Sequence, residues 1–240
     1  MAVVAVVLLA AVNAVFWTGL YKTKPVKSSF SQQVTVVPRP SASATATPAA
    51  VNPLNLPSGR ALLTTIVGDT IATGHFASSP DARFRTLVLG ALAARGPVSP
   101  AEATRTGTSD LSTAVAVPAN VDLVILELGT DDMRVESVSD FGMAFGALIA
   151  SVHADSPNAA LVCAGTWSAT GGLYDQVIQR DCLAAKGRYV SLQALYDTPA
   201  YHDPAGGNGY YGISDGLAPN DAGHRAIAAA LLGAVGVKLS

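Results

Sequence analysis

Residues 121–128 read VDLVILEL and run directly into GTDD at residues 129–132. A short apolar, β-branched run that ends at a glycine turn is typical of a strand buried on both faces of a sheet. Residues 62–67, LLTTIV, have the same character and end at GDT, residues 68–70. We therefore predict two buried strands whose carboxyl ends both carry aspartate-containing loops.

Further patterns extend this arrangement along residues 60–240. Apolar runs at residues 159–164 and 188–192 predict two more strands. Helical patterns lie between or after the strands, at residues 83–94, 141–153, 174–185 and 220–235. Alternating strands and helices indicate a parallel sheet covered on both faces, with ligands bound at the carboxyl ends of the strands.

The composition of the 240-residue chain excludes several classes of protein. The chain is 50% hydrophobic and only 13% charged, which excludes a charged, disordered protein. Its 15 basic and 17 acidic residues give no basic face, so nucleic acid is not an expected partner. Two cysteines exclude a disulfide-rich scaffold and a zinc site built from cysteines.

Residues 2–21, AVVAVVLLAAVNAVFWTGLY, contain no charged side chain. Twenty residues at a helical rise of ~1.5 Å span a ~30 Å hydrocarbon core, so we predict a single-pass transmembrane anchor at residues 1–21. A cleaved signal peptide is the competing interpretation, but no A-x-A cleavage site precedes the polar stretch that follows. A buried soluble helix is disfavoured because the run has no polar face.

The orientation of the anchor rests on conflicting signals. Three lysines follow the span and none precedes it, which by the positive-inside rule would place the domain in the cytoplasm. Residues 22–59, however, are rich in Ser, Thr, Pro and Ala, as in an extracytoplasmic linker. Cys163 and Cys182 could pair in an exported domain, or stay as two buried thiols. We expect the domain of residues 60–240 to be extracytoplasmic.

Three segments together resemble the SGNH/GDSL hydrolase family. Residues 66–70, IVGDT, look like that family's Gly-Asp-Ser block after strand one, and residues 128–132, LGTDD, are similar to its Gly-x-Asn-Asp block. Residues 214–224, SDGLAPNDAGH, resemble the last block, in which Asp-x-x-His supplies the acid and the base. Residues 105–110, RTGTSD, fit the glycine block more weakly.

The resemblance, which covers about residues 61–236, implies an α/β fold: a three-layer α/β/α sandwich with roughly five parallel strands. It implies an esterase, lipase or acyl-transfer site for acylated glycans or lipids, with no cofactor and no metal. Thr70 stands at the position of the family's nucleophilic serine. The oxyanion donors correspond to Thr70, Gly107 and Asp131, while Asp215 and Ala218 stand at the positions of the catalytic aspartate and histidine.

Three of these positions depart from the family pattern. The extra methyl of Thr70 stiffens its side chain and crowds the path of attack. An ionised Asp131 has no N–H to donate to an oxyanion. Ala218 has no proton to move. The scaffold residues are kept, so we expect a preserved pocket whose chemistry has been removed.

Four histidines are candidates to replace the missing base. His202 lies in the loop before the last block and is the candidate surrogate, against the alternative of a surface loop histidine. His75, five residues after Thr70, is expected to lie in the following helix and to point away. His153 is expected to end a helix far from the strand tips, and His224 to be structural.

Other candidate site residues are acidic or aromatic. Asp69, Asp131, Asp132 and Asp215 should converge near the strand ends, where clustered carboxylates share protons or bind a cation. Asp69 and Asp132 are candidates for substrate binding, with hydrogen bonds to loop backbone as the alternative. Trp167 and Tyr210 are candidates for an aromatic floor under a sugar or acyl chain, or else pack over the sheet edge.

The sequence thus favours a membrane-anchored, SGNH-like domain that has lost catalysis and binds an acylated glycan, a lipid or a cell-envelope protein. The alternative is an active esterase or acyltransferase that uses Thr70 as the nucleophile, with His202 or a substrate group as the base. Two further interpretations stay open: engineered changes that trap a substrate, and a structural stalk-and-head protein.

Overall fold

The computed structural model describes residues 51–104, 117–209 and 212–239. The predicted anchor, most of the predicted linker, Gly107 and Tyr210 lie outside the described residues. Within the described ranges, every helix is too short or too polar to cross a bilayer.

A five-stranded parallel sheet forms the centre of the domain. Its strands lie in the order β2-β1-β3-β4-β5. Their bounds are β1 Leu62–Gly68, β2 Val98–Thr104, β3 Leu123–Glu127, β4 Ala160–Ala164 and β5 Arg188–Val190. The four predicted apolar runs form β1, β3, β4 and β5, and the sheet is parallel, as predicted. The sequence analysis did not predict β2, whose sequence VSPAEAT is not an apolar run.

Helices lie between β1 and β2, between β3 and β4 and between β4 and β5, and a short hairpin precedes the last helix. The helices are α1 Thr70–Thr73, α2 Phe84–Ala93, α3 Val138–Asp155, α4 Gly172–Ala184, α5 Gln193–Tyr196 and α6 Asp221–Ala234. The antiparallel pair is β6 Asn208–Gly209 with β7 Gly212–Ile213, and short 3₁₀ turns lie at Pro80–Ala82, Asp132–Arg134 and Pro199–Tyr201.

Two hydrophobic cores cover the two faces of the sheet. In β3, Leu123 and Ile125 face the core that contains residues of α2 and α6. Val124 and Leu126 face the other core, which contains residues of α3 and α4. This alternation follows from the two-residue period of a strand. The domain is therefore a three-layer α/β/α sandwich, as the resemblance implied.

The strand order reverses direction at β1, and this reversal sets the position of the site. β1 pairs with β2 on one side and with β3 on the other, and Gly68 at its carboxyl end is in register with both Thr104 and Glu127. Loops that leave neighbouring strands on opposite sides of a sheet open a crevice at the carboxyl ends. The segments after β1 and β3 border that crevice.

The described end of the predicted linker packs against the domain. The Asn52 side-chain amide donates to the carbonyl oxygens of Pro157 and Ala159, and the Arg188 guanidinium donates to the Asn52 carbonyl oxygen. Ordered contacts with the domain therefore begin before residue 60.

Cys163 and Cys182 form a disulfide that joins β4 to α4. Both residues are fully buried. Of the two alternatives that the sequence left open, the structure has the disulfide rather than two thiols. The bond fixes the helix that follows the β4 loop, and that loop carries Trp167.

Reduction of this disulfide should destabilise the domain by about 3 kcal/mol, because a cross-link between residues 19 apart removes loop entropy from the unfolded chain. Guanidinium titrations of the wild type, followed by circular dichroism with and without dithiothreitol, measure the effect. The Cys163→Ala/Cys182→Ala variant is the control and should not respond to the reductant. A wild-type midpoint that is unaffected by dithiothreitol would contradict the bond.

Candidate active site

The loop after β1 is tied to the loop after β3 by the Asp69 carboxylate. Asp69 caps the amino end of α1, because its Oδ1 accepts a hydrogen bond from the Ile71 N–H at 3.2 Å. Its Oδ2 accepts from the Asp131 N–H at 3.1 Å. Since Asp69 is fully buried and both oxygens bind backbone, its role in the structure is to connect the two loops. This is the alternative to substrate binding that the sequence left open.

Asp132 holds its own loop in the same way. Its Oδ2 accepts from the Gly129 N–H at 3.0 Å, and the side chain is fully buried. Gly129 has a φ of +108°, a conformation that side chains disfavour, and a Cβ there would meet Thr166 at 3.1 Å. The glycine and the aspartate together shape the turn that presents Asp131.

The Asp131 carboxylate binds both polar groups of Thr70. Its Oδ1 accepts from the Thr70 hydroxyl at 2.9 Å, and its Oδ2 accepts from the Thr70 N–H at 3.2 Å. Asp131 is 3% exposed. In the hydrolase pattern the hydroxyl would be the nucleophile and the N–H an oxyanion donor. In this protein the Asp131 carboxylate accepts hydrogen bonds from both of these groups.

Four buried carboxyl groups lie at the ends of β1 and β3: Asp69, Glu127, Asp131 and Asp132. Burial, followed by repulsion from Asp131, raises the pKa of Asp69 to about 7. Burial also raises the pKa of Glu127 well above its ordinary value, with added repulsion from Asp69 and Asp131. Despite this clustering, no group of three or more acidic, histidine or cysteine side chains within the described ranges could hold a metal ion.

A cavity of about 320 Å³ opens beside Thr70. It is bordered by the β1 and β3 loops, the loop after β4 and the loop before α6. Its lining residues are Thr70, Ile71, His75, Phe76, Thr130, Asp131, Arg134, Trp167, Asp215, Leu217 and Ala218. The structure thus brings together five residues predicted from the sequence: Thr70, Asp131, Trp167, Asp215 and Ala218.

The loop before α6 contains Asp215 and Ala218, which stand where the SGNH/GDSL pattern has its catalytic aspartate and histidine. Ala218 lines the cavity with a methyl group and is 8% exposed. Asp215 is exposed, and its Oδ1 accepts a hydrogen bond from the Leu217 N–H at 2.9 Å. Without a histidine at position 218, the aspartate binds its own loop.

The structure contradicts the expectation that His75 points away from Thr70. α1 ends at Thr73, and Gly74 has a left-handed φ of +91°, so His75 leaves the helix and lines the cavity. Its Nδ1 lies 3.1 Å from the Thr70 carbonyl oxygen. A carbonyl can only accept, so in this bond Nδ1 carries the proton and Nε2 is the basic nitrogen of neutral His75.

His224 supports the segment that contains His75. It is fully buried, its ring stacks on Phe84, and its Nε2 lies 3.1 Å from the His75 carbonyl oxygen. Burial lowers the pKa of His224 to about 4, so the ring is neutral at pH 7 and donates through Nε2. This contact is structural, in line with the expectation from the sequence.

His202, the candidate surrogate base, is not among the residues that line the cavity. Its Nε2 forms a hydrogen bond with the Tyr196 carbonyl oxygen, and its ring packs against Trp167 and Tyr196.

Trp167 lines the cavity but is only 3% exposed, and its Nε1–H donates to the Leu217 carbonyl oxygen at 2.8 Å. Trp167 therefore forms a packed wall rather than an open stacking surface. His153 is exposed near the end of α3.

Sequence reasoning missed Arg134 and Phe76 as lining residues. Arg134 is exposed in the 3₁₀ turn that follows Asp131. The sequence signal for Arg134 was its position three residues after Asp131. A 3₁₀ turn has three residues per turn, so it places residues three apart on the same face. Phe76 depends on the left-handed turn at Gly74, which a single sequence does not reveal.

The buried Asp69 carboxyl group contributes stability that should be lost as pH rises. Between about pH 3.8 and 7 the folded state holds a proton on Asp69 that the unfolded state has released, so the Asp69 contribution to the free energy of unfolding should fall by up to ~4 kcal/mol. His224, with its pKa lowered to about 4, contributes in the opposite sense between about pH 4 and 6.5, so the Asp69 contribution is read from the difference between the wild type and Asp69→Asn. Urea midpoints at pH 4.5, 6 and 8 measure this slope. Asp69→Asn should remove the falling contribution, so its stability relative to the wild type should rise with pH, whereas Asp81→Asn, at an exposed position, should leave the slope unchanged. A slope unchanged by Asp69→Asn would contradict the raised pKa.

No protein-family model matches the sequence, and no curated protein matches it. The fold does match solved structures. An esterase from Pseudoalteromonas sp., in a structure inhibited by monoethylphosphonate, aligns with a TM-score of 0.54 and 12% identity over 73% of this chain and 97% of its own. A protein assigned as a GDSL-like lipase from Parabacteroides merdae aligns with a TM-score of 0.56 and 13% identity over 77% and 99% of the two chains.

A two-domain esterase active on acetylated mannans, co-crystallised with mannopentaose, aligns with a TM-score of 0.56 and 19% identity. The match covers 73% of this chain and 49% of that protein, so the domain corresponds to about half of it. At these identities the likeness establishes the fold. The described domain has an SGNH/GDSL hydrolase-like fold.

Proposed function

We propose that this protein is a membrane-anchored, extracytoplasmic member of the SGNH-like fold that binds an acylated glycan in the cavity beside Thr70 without hydrolysing it. The observation that carries the proposal is the pair of hydrogen bonds from Thr70 to the Asp131 carboxylate. The same geometry that preserves the pocket removes the conditions for acyl transfer.

Three effects act together against hydrolysis. The Thr70 N–H, an oxyanion donor in the hydrolase pattern, is already bound to Asp131. An ionised carboxylate beside the reacting carbon repels a developing oxyanion, and loss of one donor alone typically lowers kcat by roughly 10²–10³. Ala218 provides no base, and loss of a triad base in a serine hydrolase lowers kcat by on the order of 10⁶.

The size and lining of the cavity favour a sugar over a lipid. Its volume of about 320 Å³ lies at the lower end of the range for small-molecule sites, so it suits one ring with a short acyl group better than a long chain. Hydroxyl, carboxylate and guanidinium groups line it beside apolar walls. A fold neighbour acts on acetylated mannans, which supports a glycan as the ligand class.

The proposed location rests on two features. Residues 2–21 are apolar and long enough to span a bilayer. The disulfide between Cys163 and Cys182 suits an oxidising compartment, since disulfides are rare in the cytosol. An outward-facing domain would place the cavity among envelope glycans.

An active esterase is the second candidate, and one contact favours it. The Thr70 hydroxyl lies 2.9 Å from the Asp131 carboxylate, which is within reach for a general base. His75, with Nε2 as its basic nitrogen, lines the same cavity and offers another base. In this scheme Thr70 would be the nucleophile, as in the alternative drawn from the sequence.

Restoring the family side chains should switch activity on. We expect the wild type to leave p-nitrophenyl acetate unhydrolysed above background, and the Thr70→Ser/Asp131→Asn/Ala218→His variant to hydrolyse it. The reason is that the variant regains a serine, an amide donor and a base in a pocket that already exists. The release of p-nitrophenol at pH 8 measures the hydrolytic activity of the wild type and of the variant.

Single changes separate the two candidates. If the wild type hydrolyses the ester and Thr70→Ala abolishes the hydrolysis, the non-hydrolysing proposal fails and the esterase stands. Asp131→Asn and His75→Gln then identify the base. The matched control is Thr170→Ala, at an exposed position in the loop after β4, which should leave any turnover unchanged.

A further inference from the structure

A second cavity, of about 260 Å³, lies next to the first. It is bordered by the segment after α1, the loop before β6 and the amino end of α6. Its lining includes Phe76, Ser78, Asp203, Asn208, Asn220 and Asp221. The catalytic pattern of the fold uses none of these residues.

Phe76 belongs to the lining of both cavities. Its φ is +63°, a left-handed conformation that is rare for an aromatic residue and strained. Such strain persists where the surrounding structure imposes it, often at ligand sites. Here it places one aromatic side chain between two adjoining cavities, so a single ligand could contact both of its sides.

Hydrogen bonds fix part of the second cavity. Ser78 donates to Asp221 twice, from its hydroxyl at 2.6 Å and from its N–H at 2.8 Å. The Asn220 amide donates to the carbonyl oxygens of Ala200 and His202. The wall of the cavity formed by the segment after α1 and the amino end of α6 is therefore held in place before any ligand binds.

Other polar groups of the cavity can still bind a ligand. Asp203 lines the cavity, and its carboxylate accepts no hydrogen bond from another described residue; its Oδ2 is buried, so Oδ1 is the oxygen left for a ligand. Asn208 is exposed, and its side chain makes no hydrogen bond to another described residue. These side chains offer acceptors from the carboxylate and both donors and acceptors from the amide.

The chemistry of the second cavity matches a neutral, hydroxyl-bearing ligand. Among the described lining residues there is no lysine or arginine that would attract an anion. Polar groups outnumber apolar ones there, which disfavours an acyl chain. A sugar ring, by contrast, presents hydroxyls to carboxylates and amides and an apolar face to an aromatic side chain.

We infer that the second cavity is a subsite for the neutral sugar ring joined to the ring held beside Thr70, with Phe76 as the wall between them. The inference rests on the proposed function, because it requires a glycan in the first cavity. It adds that the ligand is an oligosaccharide of at least two rings.

The test uses the full-length protein in detergent micelles and isothermal titration calorimetry. The probes are mannose, mannobiose and mannopentaose, the matching xylose and glucose series, and the acetylated form of each. We expect at least one series to bind more tightly with two rings than with one. Asn208→Ala should weaken binding of the two-ring probe about 3- to 10-fold and leave the one-ring probe unchanged.

One control variant and one further test variant keep the result interpretable. Asn158→Ala removes an exposed amide from the turn before β4, at the amino end of the strand and away from the carboxyl-end cavities, and should leave all affinities unchanged. Asp203→Asn keeps the size of the side chain and should weaken only the probes of two or more rings. Circular dichroism of each variant verifies that it is folded.

The outcomes separate this inference from the proposed function. If no probe of any length binds, the proposed function fails and the subsite with it. If one ring binds and a second ring adds nothing, or if Asn208→Ala and Asp203→Asn have no effect, the subsite is wrong and the proposed function stands. Two-ring binding that appears only after calcium is added would also overturn the subsite, because the cavity would then be a cation site.

Discussion

The hydrogen bonds that converge on Asp131 connect the two loops on which the rest of the site depends. Its carboxylate binds the hydroxyl and the N–H of Thr70, and its own N–H donates to Asp69. The loops after β1 and β3 are thereby fixed to each other at the reversal point of the sheet. Under the function proposed here, the same hydrogen bonds that fix the pocket also oppose acyl transfer, because the groups that would activate a carbonyl already bind each other.

This arrangement places several carboxyl groups out of contact with water. Asp69 offsets part of that penalty with two backbone hydrogen bonds, and its pKa is raised to about 7. The raised pKa of Glu127 reflects the same environment. A protonated carboxyl group is the less costly form in such surroundings, so the stability of the two loops depends on pH.

The fold was predictable because its signal is local and periodic. The buried strands β1 and β3 are marked by β-branched runs, and their motifs follow in the order that a known fold requires. His75 could not be placed, because its position depends on the left-handed turn at Gly74, which ends α1 after one turn. His202 was attractive from its place in the sequence, but its ring packs between Trp167 and Tyr196, away from the cavity lining. Phe76 depends on the same turn and carries no pattern in a single sequence, whereas the spacing of Arg134 from Asp131 was its only signal.

The most direct test of the central claim is the reactivity of Thr70 toward a fluorophosphonate, followed by intact-mass spectrometry of the full-length protein. The Thr70→Ser/Asp131→Asn/Ala218→His variant serves as the reactive reference. The account predicts a phosphonyl adduct on the variant and none on the wild type. An adduct on wild-type Thr70 would contradict it, because the hydroxyl would then be free to attack despite its bond to Asp131.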